Sequence, residues 1–311
     1  MVAPKGLDDL SNSRFGLSVA AGVGRATPPG LGRRVASRTA DLLSLRRDTQ
    51  LVSAVRTNQW VVSGQTLIGR ELDVVVRECL RHMARCVYDY YHLAEDPDAL
   101  RDLVMLSDSV MDWIERVRQG QGAVFSALHL SNFDLGGRAM ARAGFRAQVL
   151  TVPDPTDAYR TQNELRRAVG FDVTPISLES LRVARHRLEA GGTVLTGIDR
   201  PVPEARRTYR FFGRPAHVPD VHVRLASITG RPLVLIWATM SPEGVYALDC
   251  EEVPLTASLG IRDREADVEA VLARAAAKIA AHATQWAMPH AMWPEAASEL
   301  AAADLSVARD A

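Results

Sequence analysis

From Ala123 onward, short apolar runs alternate with amphipathic segments, and this alternation restricts the fold more than any other feature of the chain. Ala123–Leu128, Ala147–Val152, Asp172–Ile176, Thr193–Ile198, Tyr209–Phe212, Leu233–Thr239 and Val245–Asp249 read as strands. Phe133–Ala143, Thr156–Val169, Leu178–Glu189, Asp220–Thr229 and Asp267–Trp286 read as helices, their apolar residues recurring at helical steps. Strands separated by single helices need right-handed crossovers, which lay neighbouring strands parallel. The expected class is α/β, with a mainly parallel central sheet flanked by helices.

Upstream the pattern is helical. In Glu71–Leu93, the residues Leu72, Val76, Cys79, Met83, Val87 and Tyr90 share one face, and Leu100–Arg118 reads as a second helix. Phe15–Asp48 reads as one or two short helices broken at Pro28-Pro29-Gly30. Residues 1–120 are thus expected to form a helical N-terminal layer on an α/β core of residues 121–300, within one structural domain.

The 37 basic and 37 acidic side chains cancel, which argues against a nucleic-acid binder relying on overall charge. No basic patch interleaved with aromatics is present either. The segment Met1–Arg47 is locally basic, with eight basic and three acidic residues. Leu17, Val19, Leu31, Val35, Leu42, Leu43 and Leu45 are interleaved with its arginines, so Phe15–Leu45 can lie flat on an anionic bilayer or pack on the core. No apolar run reaches the roughly 18–20 residues of a membrane span. Cys79, Cys86 and Cys250 fit neither a disulfide framework nor a metal spacing, which suits a reducing cytoplasm. His217 and His222 flank Asp220 but lack a third ligand at a usual spacing, so no metal is expected.

The chemistry-bearing stretch is Ala123–Gly137, AVFSALHLSNFDLGG. His129 stands at the exit of an expected strand, and Asp134 stands in the first turn of the expected helix that follows. A strand-to-helix turn can fold the two side chains together, although on one straight helix a five-residue step points them apart. A carboxylate on one imidazole nitrogen leaves the other basic and aimed at a substrate hydroxyl. His129 is therefore the expected general base and Asp134 its orienting group. Ser131 has no nucleophile-elbow context and reads as a turn or capping residue.

The block His129-Leu-Ser-Asn-Phe-Asp134 with Gly136-Gly137 resembles the HxxxxD block of the lysophospholipid and glycerol-phosphate acyltransferase superfamily. The closest branch in appearance is that of the bacterial lipid A biosynthesis and phosphatidylinositol mannoside acyltransferases. The resemblance extends to the helical lead-in at Leu51–Leu93 with "VRTNQWVV", and to Gly192–Val234 with its Asp199-Arg200 pair and Phe-Phe-Gly turn. Thr196-Gly-Ile-Asp-Arg200 stands where the phospholipid-making relatives carry Phe-Pro-Glu-Gly-Thr-Arg, and Pro201 replaces a second acid of the mannoside branch.

The resemblance implies an O-acyltransferase that moves a fatty acyl chain from acyl-CoA or acyl carrier protein to a hydroxyl of a glycolipid or lipid-like acceptor, without a cofactor. It implies catalytic His129 and Asp134, with Asn132, Arg160, Arg166, Asp199 and Arg200 binding substrate. Arg206, Arg207 and Arg210 are further candidates for an anionic group. The implied location is cytoplasmic, peripheral to the inner face of the cell membrane. Transfer to a soluble or specialised-metabolite acceptor, and a non-catalytic acyl-chain-binding role, are the alternatives.

Overall fold

A computed structural model describes residues 27–93, 97–256 and 261–310. Its centre is a seven-stranded sheet in the order β1-β9-β8-β2-β5-β3-β4. These strands are β1 (Val104–Leu106), β2 (Val124–Ala127), β3 (Gln148–Thr151), β4 (Asp172–Pro175), β5 (Val194–Gly197), β8 (Leu233–Met240) and β9 (Tyr246–Val253). Every pairing is parallel except the β8–β9 hairpin. The α/β class with a mainly parallel sheet is therefore observed.

Helices α1 (Pro29–Ser44), α2 (Gln50–Val62) and α3 (Gly69–His92) precede the sheet. α1 starts at the break expected at Pro28-Pro29-Gly30, since proline at the first helical position loses no hydrogen bond that the helix needed. Of the expected membrane-facing segment, residues 15–26 lie outside the described residues. The remainder packs on α3 along one face, and Gly32 makes this close: a β-carbon there would stand 2.1 Å from the Tyr88 ring. Arg33 reaches the buried Asp89 from the same face.

The expected helix Leu100–Arg118 is divided. It comprises α4 (Pro97–Leu103), the short edge strand β1, and α5 (Asp108–Arg118). Val104–Leu106 pairs in parallel with Tyr246–Leu248, and the Ser107 hydroxyl caps α5 by accepting from the Val110 amide. The cap ends one element and starts the next within what reads as a continuous helical pattern.

The remaining helices are α6 (Phe133–Arg142), α7 (Asp157–Ala168), α8 (Leu178–Glu189), α9 (Val221–Thr229), α10 (Ile261–Ala281) and α11 (Ala296–Asp310). Tyr209–Phe211 (β6) pairs with Arg214–Ala216 (β7) in a separate antiparallel hairpin, outside the central sheet. A 3₁₀ turn, Ala283–Gln285, follows α10 where sequence periodicity extends one helix to Trp286. The main core buries Leu72, Leu80, Val124, Leu128, Val271 and Leu272 with Trp286 and Trp293, and so ties the early helices and the C-terminal segment to one face of the sheet.

The lead-in helix contributes polar residues to this core. Asn58 donates to the carbonyls of Met288 and His290 and accepts from the Met292 amide, while Gln59 donates to the carbonyls of Ala283 and Trp286. Each buried amide is thereby satisfied by the backbone of one C-terminal stretch. Arg56 is buried between Asp73 of α3 and Asp304 of α11.

Candidate active site

Strands β2 and β5 are neighbours, with Ala127 opposite Gly197. His129 and Asp199 each lie two residues beyond that pair, at the carboxyl edge of the sheet, where α/β folds place their sites. The register thus brings together residues 70 positions apart. His129 Nδ1 is 2.7 Å from Asp199 Oδ1, and the His129 amide donates to both carboxylate oxygens at 3.0 Å. The Asp199 side chain is fully buried, whereas the His129 side chain is 22% exposed. A third donor, Trp286 Nε1, reaches Asp199 Oδ2 at 2.8 Å.

Gly197 allows the imidazole to lie over the strand end. A β-carbon at that position would come within 2.7 Å of His129 Cε1. Phe133 closes the other side of the ring edge-on, with centroids 4.8 Å apart. With Nδ1–H donated to Asp199, the tautomer places the free lone pair on Nε2.

The expected contact between His129 and Asp134 is not made. Asp134 instead accepts a 2.7 Å hydrogen bond from Arg166 Nε of α7. Asn132 caps α6 by accepting from the Leu135 amide, so Asp134 falls in the first helical turn, facing α7 and not the strand exit. Burial works against the charge of Arg166, but Asp134 outweighs it and holds the guanidinium above its ordinary range. Local spacing pointed to Asp134 as the orienting group; the sheet supplies Asp199.

The other sequence candidates divide between the site and the scaffold. Arg200 lines the site cavity with its guanidinium 4.5 Å from the centre of the Tyr159 ring, and its buried Nη1 has no hydrogen-bond partner. Arg166 also lines the cavity but is paired with Asp134. Arg160 is exposed, paired with Asp157, and outside the cavity wall. Asn132 is a buried capping residue whose amide donates to the Cys86 carbonyl. Arg206 and Arg207 line the cavity, whereas Arg210 does not.

Ser131 has φ of +49°, and its hydroxyl lies 2.9 Å from His82 Nε2. It is a turn residue, as its sequence context suggests. His217 pairs with the Ala205 carbonyl, and His222 is fully buried with both ring nitrogens unpartnered. Among the described residues no group of three His, Cys, Asp or Glu side chains is arranged to hold a metal ion.

The cavity beside His129 has a volume of about 710 Å³. Leu128, Phe133, Met140, Val149, Phe171, Leu195, Trp237 and Leu248 form apolar parts of its wall, and Arg138, Arg166, Arg200, Arg206, Arg207 and Arg224, set against Asp134, Glu204 and Asp220, give it an excess of positive charge. An apolar sleeve with a few convergent polar groups suits a ligand with a hydrocarbon part and an anionic part. His290 lies close enough to feel Arg200 and His129. Burial first, then the nearby Arg200 charge and the His129 ring, push its pKa down to about 4.

A family model described as bacterial lipid A biosynthesis acyltransferase matches residues 15–295. The chain belongs to that family. Similar curated proteins are the phosphatidylinositol mannoside acyltransferases of two Mycobacterium tuberculosis strains, ATCC 25618 / H37Rv and CDC 1551 / Oshkosh. Each is 29% identical over 195 residues, which span 60% of this chain and 59% of theirs. Within the lipid A acyltransferase family match lie all three blocks recognised in the sequence, together with His129, Asp199 and Trp286.

Proposed function

We propose that this protein is an O-acyltransferase that moves a fatty acyl chain from a thioester, acyl-CoA or acyl carrier protein, to a hydroxyl of a glycolipid. The observation that carries the reading is the His129–Asp199 hydrogen bond at the wall of a largely apolar cavity. Family membership supports the reaction class, and the relatives' names support a mannosylated phosphatidylinositol or a related glycolipid as acceptor.

In this reading Asp199 holds Nδ1–H of His129, and Nε2 takes the proton from the acceptor hydroxyl as its oxygen attacks the thioester carbonyl. The charge that develops on the carbonyl oxygen forms in a cavity bearing Arg200, where positive charge is favourable. Collapse of the tetrahedral intermediate breaks the carbon–sulfur bond, and the leaving thiolate recovers the proton from the imidazolium. Asp134 acts at one remove: it holds Arg166 in the cavity wall.

The protein works at a membrane surface in this proposal. No helix among the described residues is long and apolar enough to cross a membrane. The outer face of α1 exposes Leu31, Val35 and Leu42, with Leu45 just beyond its end, beside Arg34 and Arg38. Such a face suits shallow insertion into an anionic leaflet.

The test is product analysis by mass spectrometry, with palmitoyl-CoA or palmitoyl-acyl carrier protein supplied with vesicles containing phosphatidylinositol mannoside or a lipid A precursor. Acylated glycolipid formed by the native chain and not by His129→Ala is the expected result. Acyl transfer only to a water-soluble alcohol would favour a soluble acceptor. Acyl-chain binding without turnover of either thioester would leave a carrier role.

A further inference from the structure

We propose that Trp286 is a positioning residue of the acyl-transfer site, acting through Asp199. This rests on the His129–Asp199 reading given above. Trp286 is fully buried, and its Nε1–H donates at 2.8 Å to Oδ2, while Oδ1 receives His129 Nδ1. A carboxylate has several lone-pair positions. Without a donor on Oδ2 beyond the His129 amide, it has more freedom to rotate about its Cβ–Cγ bond. The indole removes that freedom and so fixes the direction from which Nδ1–H is received.

The indole is itself held from several sides. Gln59 of α2 donates to the Trp286 carbonyl at 2.9 Å. The neighbouring Gln285 bonds through its side chain to both the amide and the carbonyl of Met240 at the end of β8, and its carbonyl accepts from the Ser131 amide in the turn after His129. The ring lies against Phe211 and Phe212, with centroids 6.4 and 6.3 Å away. The turn at 283–286 therefore joins the lead-in helix, the β8 end, the histidine turn and the Phe-Phe-Gly hairpin, and delivers one N–H to a buried carboxylate. A tryptophan serving only as core filler needs no such donor; an indole N–H placed on a buried charge makes a strong, directional bond.

Trp286→Phe keeps most of the ring and removes the donor. If that variant fails to fold, site-specific incorporation of 3-benzothienylalanine at 286 removes the N–H within the same shape. One readout is turnover of palmitoyl-CoA with phosphatidylinositol mannoside vesicles. The other is the downfield proton resonance of the His129–Asp199 hydrogen bond, assigned by its loss in His129→Ala.

The expected result is a kcat lower by about 10-fold to 100-fold, the size of one hydrogen bond to a charged group, with KM for palmitoyl-CoA unchanged. The resonance should shift upfield. A kcat or a resonance that does not move overturns the proposal, even where Asp199→Asn abolishes turnover and the acyl-transfer reading stands. Full turnover by His129→Ala and Asp199→Asn would instead remove the reading on which the proposal rests.

Discussion

His129 donates its orienting hydrogen bond to Asp199, 70 residues downstream, and not to Asp134 within its own motif. The two acids should therefore separate in mutagenesis. Asp199→Asn is expected to lower kcat by roughly 10²–10⁴-fold, the range for loss of general-base function, with the fold retained. Asp134→Asn removes the counter-charge of Arg166, both being mostly buried, and its main effect should be a stability loss on the order of 3 kcal/mol. Steady-state kinetics and urea unfolding of both variants check this. Equal loss of kcat in two equally stable proteins would restore Asp134 to the centre of the mechanism.

Gly197 is the second sensitive position. An alanine there would place its β-carbon 2.7 Å from the imidazole, so the ring must move off the line to Asp199. A displacement on the order of 1 Å costs about 10²-fold in rate. Gly197→Ala should show that loss with unchanged circular dichroism. Normal turnover would mean that the imidazole can act from a shifted position.

Three histidines set an acid limit on stability. Burial, with help from Arg85, lowers the pKa of His82 to about 4; burial alone lowers that of His222 to about 3; and that of His290 is pushed to about 4. Each is neutral in the folded chain while its unfolded counterpart, near pKa 6.5, takes up a proton. The unfolded state thus binds more protons between about pH 6.5 and 4, and stability falls across that window as pH drops, by about 1.4 kcal/mol per pH unit for each histidine fully in it. Urea midpoints at descending pH read the slope. His222→Leu, which removes an unpartnered buried ring, should make it shallower.

The donor should show a chain-length response. Each methylene buried in the cavity beside His129 is worth about 0.8 kcal/mol, so affinity should rise with acyl length until the apolar wall ends. A series of acyl-CoA binding constants tests this. A flat series would exclude the cavity as the acyl site.

Membrane contact should depend on the exposed face of α1 and the residue just beyond it, Leu42 being 69% and Leu45 76% accessible. Replacing both with Glu should weaken flotation with anionic vesicles, and added salt should weaken binding of the native chain, because screening acts over about 10 Å at 0.1 M. Equal flotation of the native and Leu42→Glu/Leu45→Glu chains would place the contact elsewhere.

The alternating pattern after Ala123 was enough to establish the α/β class and most of the strands, because parallel strands buried on both faces read as short apolar runs whatever surrounds them. His129 was legible for the same local reason: it stands where a strand must end. Its partner was not. Hydrogen bonding to Nδ1 is decided by which strand lies beside β2, and nothing in HLSNFD encodes the Ala127–Gly197 register. Edge strand β1 was hidden for a related reason, since Val104–Leu106 takes its strand form from pairing with β9 and not from its own periodicity. Nothing in the sequence around Trp286 marks its indole as a donor; only the packing of the 283–286 turn against α2, β8 and the histidine turn brings its N–H to Asp199. Local propensity thus determined most of the elements and the place of the histidine, and long-range register and packing decided the edge strand and which groups surround the imidazole.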